Sequence, residues 1–171
     1  METVIVLAMH GMPPKNFPKP DLQEFFSLHA RVEGAGDSLP DEILMRHEEL
    51  HDAMRQWPRN ADNDPFNVAA IEIAQLLEKE VSIPVYIGYN EYCSPSLEEV
   101  FESAISNGAL KIIVVTPMMT RGGDHAEAEI PAAIDRARER YPSVQFTYAW
   151  PFEPHEIACF LGNQIRLALD S

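Results

Sequence analysis

Two histidines in this chain stand where a metal ion or a proton could be handled. His10 ends an apolar run and precedes a glycine in "TVIVLAMHG", residues 3–11. His125 lies in "TPMMTRGGDHAEAEIP", residues 116–131, beside Asp124, Glu127 and Glu129. Imidazole is a good ligand for cobalt, nickel or iron, and near neutral pH it can also take a proton from a substrate. Asn90 and Glu91, in "YNEYCSPS", place a carboxylate after another apolar run. A further pair of histidines occupies "HEELH", residues 47–51. That His-Glu-x-x-His spacing sets two imidazoles on one helix face, as in zinc hydrolases. Arg46, Glu49 and Asp52 surround the pair with charge where a catalytic helix would be apolar, and no third ligand follows. The alternatives are a solvated helix with His47 on its packing stripe, or an accessory metal site of His47 and His51. His29 reads as a cation near a helix end, and His155 takes no role.

These residues need elements to position them. Four apolar runs read as strands: "TVIVLAM" (3–9), "PVYIGYN" (84–90), "KIIVVTP" (111–117) and "VQFTYAW" (144–150). Helical periodicity fills the intervals. Asp21, with Glu24 as a capping box, opens a short helix. Ser38 is placed to cap the next, which has Pro40 in its first turn, runs to about Gln56, and carries Ile43, His47, Leu50, Met54 and Trp57 on one stripe. Phe66, Ala69, Ala70, Ile73 and Leu77 mark a third helix, and Leu97, Val100, Phe101, Ala104 and Ile105 a fourth. Ile130, Ala133, Ile134 and Ala137 mark the fifth, and Ile157, Leu161, Ile165 and Ala168 line the last. Strands alternating with helices predict an α/β fold, with a parallel four-stranded sheet covered on both faces. Residues 13–66 make an unusually long first crossover, a helical insertion within one domain spanning 1–171. Ligands of open α/β sheets bind beyond the carboxyl ends of the strands. A strand order of 2-1-3-4 makes strands 1 and 3 neighbours, and His10 and His125 then face each other across the crevice.

The totals narrow the class. At 171 residues with 46% hydrophobic content, the chain can bury a proper core. A net charge of -14 disfavours nucleic acid and anionic membranes and attracts cations. Cys93 and Cys159 give no disulfide framework or zinc ribbon. The acidic start and short apolar run at the N-terminus lack a signal-peptide pattern, so a soluble, cytoplasmic protein is expected. Lys15, Lys19, Arg46, Arg55, Arg59 and Arg121 are the cations placed to meet an anionic ligand.

With these residues in hand, the sequence resembles the class II tetrapyrrole chelatases, specifically the small sirohydrochlorin cobaltochelatase type. "HG" at His10 and Gly11 looks like that family's first metal-site histidine, and "PMMTRGGDHAEAEIP" like its second signature. "SPSLEEVFESAISNGALKIIVVTP" matches its Pro-Ser-containing helix and following strand. The resemblance covers residues 3–12 and about 84–165. It implies a flavodoxin-like domain that inserts a divalent metal, cobalt first, into sirohydrochlorin or a related tetrapyrrole. Metal is substrate there, and no permanently bound cofactor or nucleotide is expected. On this reading His10 and His125 hold the metal and help remove pyrrole protons, with Glu91 as catalytic carboxylate and Glu129 as a further metal ligand. Gly11, Met12, Asn90, Thr116, Met118 and Arg121 are placed to contact the macrocycle. A single short repeat of this fold implies a homodimer. Iron or nickel insertion, or a non-catalytic metal or tetrapyrrole carrier, are the alternatives. A polycarboxylate macrocycle is repelled by so acidic a chain, so a local basic rim or a less charged porphyrin is expected.

Overall fold

The computed structural model describes residues 2–35 and 39–170. β1 (Glu2–Met9) leads into α1 (Lys19–Ala35), α2 (Asp41–Arg55) and α3 (Pro65–Val81). β2 (Val85–Tyr89), α4 (Leu97–Ser106), β3 (Ala109–Val115), α5 (Ile130–Arg140), β4 (Gln145–Tyr148) and α6 (Pro154–Leu169) follow. The strands form one parallel sheet in the order β2-β1-β3-β4, as expected from the sequence. Leu7 of β1 is level with Ile87 of β2 and Val115 of β3, so the three strands deliver their carboxyl ends to one edge.

β1 is continuously apolar because it is covered from both sides. Val4, Val6 and Ala8 pack with Ile112 and Val114 of β3, Val100 and Phe101 of α4, and Ile130 and Ile134 of α5. Leu7 and Met9 face Ala70 and Ala74 of α3. Burying a side chain such as the fully enclosed Phe101 contributes about 1.5–3 kcal/mol. α4 starts where Ser96 Oγ accepts from the Glu99 N–H at 3.2 Å and Glu99 accepts from the Ser96 N–H at 2.6 Å, a reciprocal cap contributing about 1 kcal/mol. A third cluster lies within the long crossover: Phe17, Phe25, Leu28, Leu50 and Met54, with Ile43, Trp57 and Tyr92 packed against it.

Several local expectations change. α1 is a 17-residue helix that begins at Lys19, ahead of Asp21. Glu24 does not close a capping box; its carboxylate accepts from Arg46 at 2.7 Å, a charged partner from α2 that no local motif foretells. Ser38 lies outside the described residues, and Pro40 occupies the position just before α2 rather than its first turn. α3 buries Ala70 and Ala74 but leaves Ala69 and Ile73 exposed. The stripe of α6 is corrected most: no residue of that helix is buried, and Leu161 and Ile165 are 51% and 60% exposed. Periodicity marks an apolar face without stating what covers it.

Candidate metal centre

The centre is assembled at the carboxyl edge of the sheet. His10 leaves β1, Glu91 leaves β2, and His125 opens a π-helical turn (His125–Glu129) that runs into α5. π turns concentrate at functional sites because the extra residue re-aims a side chain. Ligand atoms of His10, Glu91 and His125 all lie within 4.8 Å of one another. The rings of His10 and His125 meet edge to face with centroids 4.2 Å apart. His10 Nε2 is 3.9 Å from a Glu91 carboxylate oxygen. Two imidazoles and one carboxylate at this separation suit one divalent first-row ion.

Each histidine is oriented by its other nitrogen. His10 Nδ1 donates to the Gly11 carbonyl at 2.8 Å, and His125 Nδ1 donates to Glu129 at 2.7 Å. Both bonds place the proton on Nδ1 and leave Nε2 with its lone pair, the arrangement that makes imidazole a metal ligand. Glu129 is held against His125 Nδ1, and the carboxylate gathered with the two histidines is Glu91. Asn90 Nδ2 donates to the same Glu129 carboxylate at 3.3 Å. Gly11 has φ +90°, and a Cβ there would lie 2.0 Å from the Glu91 carbonyl oxygen. Only glycine allows the β1 and β2 exits to approach this closely, with the Glu91 N–H bonded to the His10 carbonyl at 2.9 Å.

Two cavities share His10. One, of about 390 Å³, is lined by His10, Phe26, His29, Glu91, Tyr92 and His125. The other, of about 500 Å³, is apolar and lined by Met9, Met12, Phe66, Ile73, Pro117 and Met118 besides His10. A larger cavity, about 670 Å³ between α3, β2 and α4, has no histidine in its lining. Met12 and Met118 line the apolar cavity, whereas Thr116 and Arg121 line neither of the two. Thr116 is buried, with its hydroxyl accepting from the Met118 N–H at 3.3 Å, so it shapes the loop. Arg121 points away to a 2.9 Å pair with Glu127, which holds that carboxyl below its usual range.

The expected basic rim is also changed. Arg46 faces Glu24 and Glu49, Arg55 faces Glu99, and Arg59 faces Asp64. Arg59 is a buried staple: its side chain is 7% exposed and that of Asp64 is 1%. Besides Asp64 it donates to the carbonyls of Met12 at 2.6 Å, Met54 at 3.1 Å, and Tyr92. It ties the crossover lobe to the loops that carry His10 and Glu91. Tyr92, at φ +56°, sits in a left-handed conformation and stacks on His10 at 5.8 Å.

His29 was not recognised from sequence as a site residue. It is not a helix-end cation; it lies within α1, with Nε2 3.9 Å from Glu91 and Nδ1 3.1 Å from His47 Nε2. His47 and His51 share one helix face as the spacing required, both half-buried and near-parallel to Phe25. Burial holds both below the ordinary histidine range, reinforced by His29 for His47 and by Arg55 and His47 for His51.

Residues 61–166 match the family model of CbiX. The chain belongs to the CbiX family, the class II tetrapyrrole chelatases. The sirohydrochlorin ferrochelatase of Priestia megaterium is 33% identical over 84 residues, 48% of this chain and 31% of that protein. The sirohydrochlorin cobaltochelatase of the same organism is 35% identical over 79 residues, 46% of this chain and 26% of that protein. The matched part of this CbiX-family chain thus spans about a third or less of those relatives. The crystal structure of a CbiX protein from Marinobacter aquaeolei VT8 shares the fold with a TM-score of 0.50 and 16% identity, over 98% of both chains.

Proposed function

We propose that this chain is a sirohydrochlorin chelatase, inserting iron or cobalt, with cobalt(II) as the first candidate. The observation that carries the reading is the convergence of His10, Glu91 and His125 within 4.8 Å beside an apolar cavity. The relatives' names supply the macrocycle. In the proposed step, the Nε2 atoms of His10 and His125 and a Glu91 oxygen hold the ion. Met9, Met12, Phe66, Pro117 and Met118 offer the macrocycle an apolar wall on the other side of His10. Insertion exchanges one divalent ion for two pyrrole protons, which pass to Glu91 and to the histidines as their metal bonds break. Holding the macrocycle bent would expose nitrogen lone pairs, so that binding energy is used toward the transition state. Glu129 and the Gly11 carbonyl act behind the ligands by fixing which nitrogen is free.

Iron(II) is the second reading, because one of the two relatives above is a ferrochelatase and the His-His-carboxylate set accepts either ion. A homodimer and a cytoplasmic location belong to the same proposal. Phe160, Leu161, Ile165, Leu167 and Leu169 on α6 are all more than half exposed, a face that a second copy could cover. Among the described residues no helix is long and apolar enough to cross a membrane.

The test is optical and anaerobic: sirohydrochlorin with cobalt(II) or iron(II), followed by absorption against the uncatalysed background. Acceleration that collapses in His125→Ala supports the reading. Binding of both components with no acceleration supports a carrier instead and removes the chelatase claim.

A further inference from the structure

His29, His47 and His51 fall outside the His10–Glu91–His125 group, and the proposed insertion step uses none of them. Yet they are not scattered. His29 turns Nδ1 to His47 Nε2 at 3.1 Å and Nε2 to one Glu91 oxygen at 3.9 Å. The other Glu91 oxygen is 3.9 Å from His10 Nε2. One carboxylate therefore stands between two histidine pairs. The His29 and His47 rings have centroids 5.3 Å apart and planes within 15°. With nitrogens at 3.1 Å, that geometry is edge to edge, so two ring nitrogens converge on one point. Phe25, fully buried, lies near-parallel to His29, His47 and His51 at 5.3, 5.0 and 5.7 Å and holds the three imidazoles in rank.

We propose that His29 and His47 form a second divalent-metal site, a loading station that passes the ion to His10 and His125 through Glu91. The destination rests on the function proposed above; the station rests on its own geometry. In the metal-free pair one imidazole donates its N–H to the other's lone pair; a metal ion takes both facing nitrogens as the donor ring's proton moves to its other nitrogen, so that both rings stay neutral. With bonds of about 2.1 Å to each nitrogen, a 3.1 Å separation corresponds to an angle of about 95° at the ion, reached when each ring turns by about 40° from the N···N line or the two rings draw apart. Transfer is ligand exchange without change of oxidation state. A Glu91 oxygen bonds to the ion as a His29 or His47 nitrogen leaves, then His10 and His125 bond as that oxygen leaves.

The cavities explain why such a route is useful. His29 and Glu91 line the polar cavity on one side of His10, while the apolar one lies on the other. An ion entering past α1 and α2 reaches His10 without crossing the wall assigned to the macrocycle. It also sheds part of its water shell before meeting pyrrole nitrogens.

The test is anaerobic equilibrium dialysis of the full chain with cobalt(II) alone, alongside its visible ligand-field spectrum. Wild type is expected to bind two ions per chain, His10→Ala/His125→Ala one, His29→Phe/His47→Phe one, and the fourfold variant none. Phenylalanine keeps a flat ring against Phe25; should that pair lose the wild-type circular dichroism, His29→Gln/His47→Gln takes its place with the same expectation. No cobalt on His10→Ala/His125→Ala, or two ions on the His29/His47 double variant, overturns the station. A failure of the insertion reading looks different: wild type would not accelerate metallation, while these stoichiometries would still hold.

Discussion

Replacing Arg59 by methionine tests how the crossover lobe is tied to the metal centre. The guanidinium is almost fully buried against Asp64, and it also donates to the carbonyls of Met12, Met54 and Tyr92. Methionine fills similar space but leaves the Asp64 carboxylate buried, still accepting from the Asn67 N–H at 2.9 Å. Stranding one member of a buried pair costs about 3–5 kcal/mol. Arg59 Nε has no partner among the described residues, a cost the native state already carries, which keeps the value from the top of that range. For a chain of this size, about 3–4 kcal/mol corresponds to a fall in Tm of roughly 6–16 °C. Tyr92 adds a local consequence, because a left-handed non-glycine costs about 1–3 kcal/mol and relaxes once its carbonyl is released. The stacking partner of His10 then moves, so metal binding falls along with stability. Urea or thermal unfolding of Arg59→Met measures the first effect, with Arg121→Met as control; that arginine is 69% exposed and its loss should cost less than about 1 kcal/mol. Arg59→Met/Asp64→Asn should recover part of the loss, since the stranded charge is gone while asparagine can still cap α3. If Arg59→Met were no worse than Arg121→Met, the staple argument would be wrong.

Three further outcomes follow from the same geometry. Glu129→Ala should weaken cobalt binding about 10–100-fold by freeing the His125 ring, while Glu129→Gln, which still accepts from Nδ1–H, should lose much less and keep the wild-type ligand-field spectrum; equal losses would make Glu129 a direct ligand. Gly11→Ala places a Cβ against the Glu91 carbonyl, so cobalt titration should show the three-ligand site lost even where circular dichroism shows the sheet retained; unchanged affinity would contradict the close approach. His47 and His51 have folded pKa values below their ordinary one, so the unfolded chain protonates first as pH falls. The stability they contribute is full above about pH 6.5 and is lost as pH drops through the folded values, above the range where Glu24 and Glu127 titrate. Urea midpoints of metal-free protein between pH 7.5 and 5.5 should decline in wild type and less in His47→Phe/His51→Phe; a flat wild-type profile would refute the sign.

Much of this architecture is local, and so could be read along the chain. β-branched runs such as "TVIVLAM" become buried strands because a parallel sheet covers both faces. Strand alternation with helices implied the sheet, and the sheet brought His10, Glu91 and His125 to one edge. Tertiary structure decided what depends on partners distant in sequence. Glu91 meets the two histidines, and Glu129 pairs with His125 Nδ1, because β1, β2 and α5 begin or end at the same place. Arg59 reads as one more surface cation until Asp64, Met12 and Tyr92 close around it. His29 has no signal in its own neighbourhood; α2 and the β2 exit supply His47 and Glu91. The apolar stripe of α6 was legible as a pattern, but periodicity records a side chain's direction, whereas burial requires another surface to meet it.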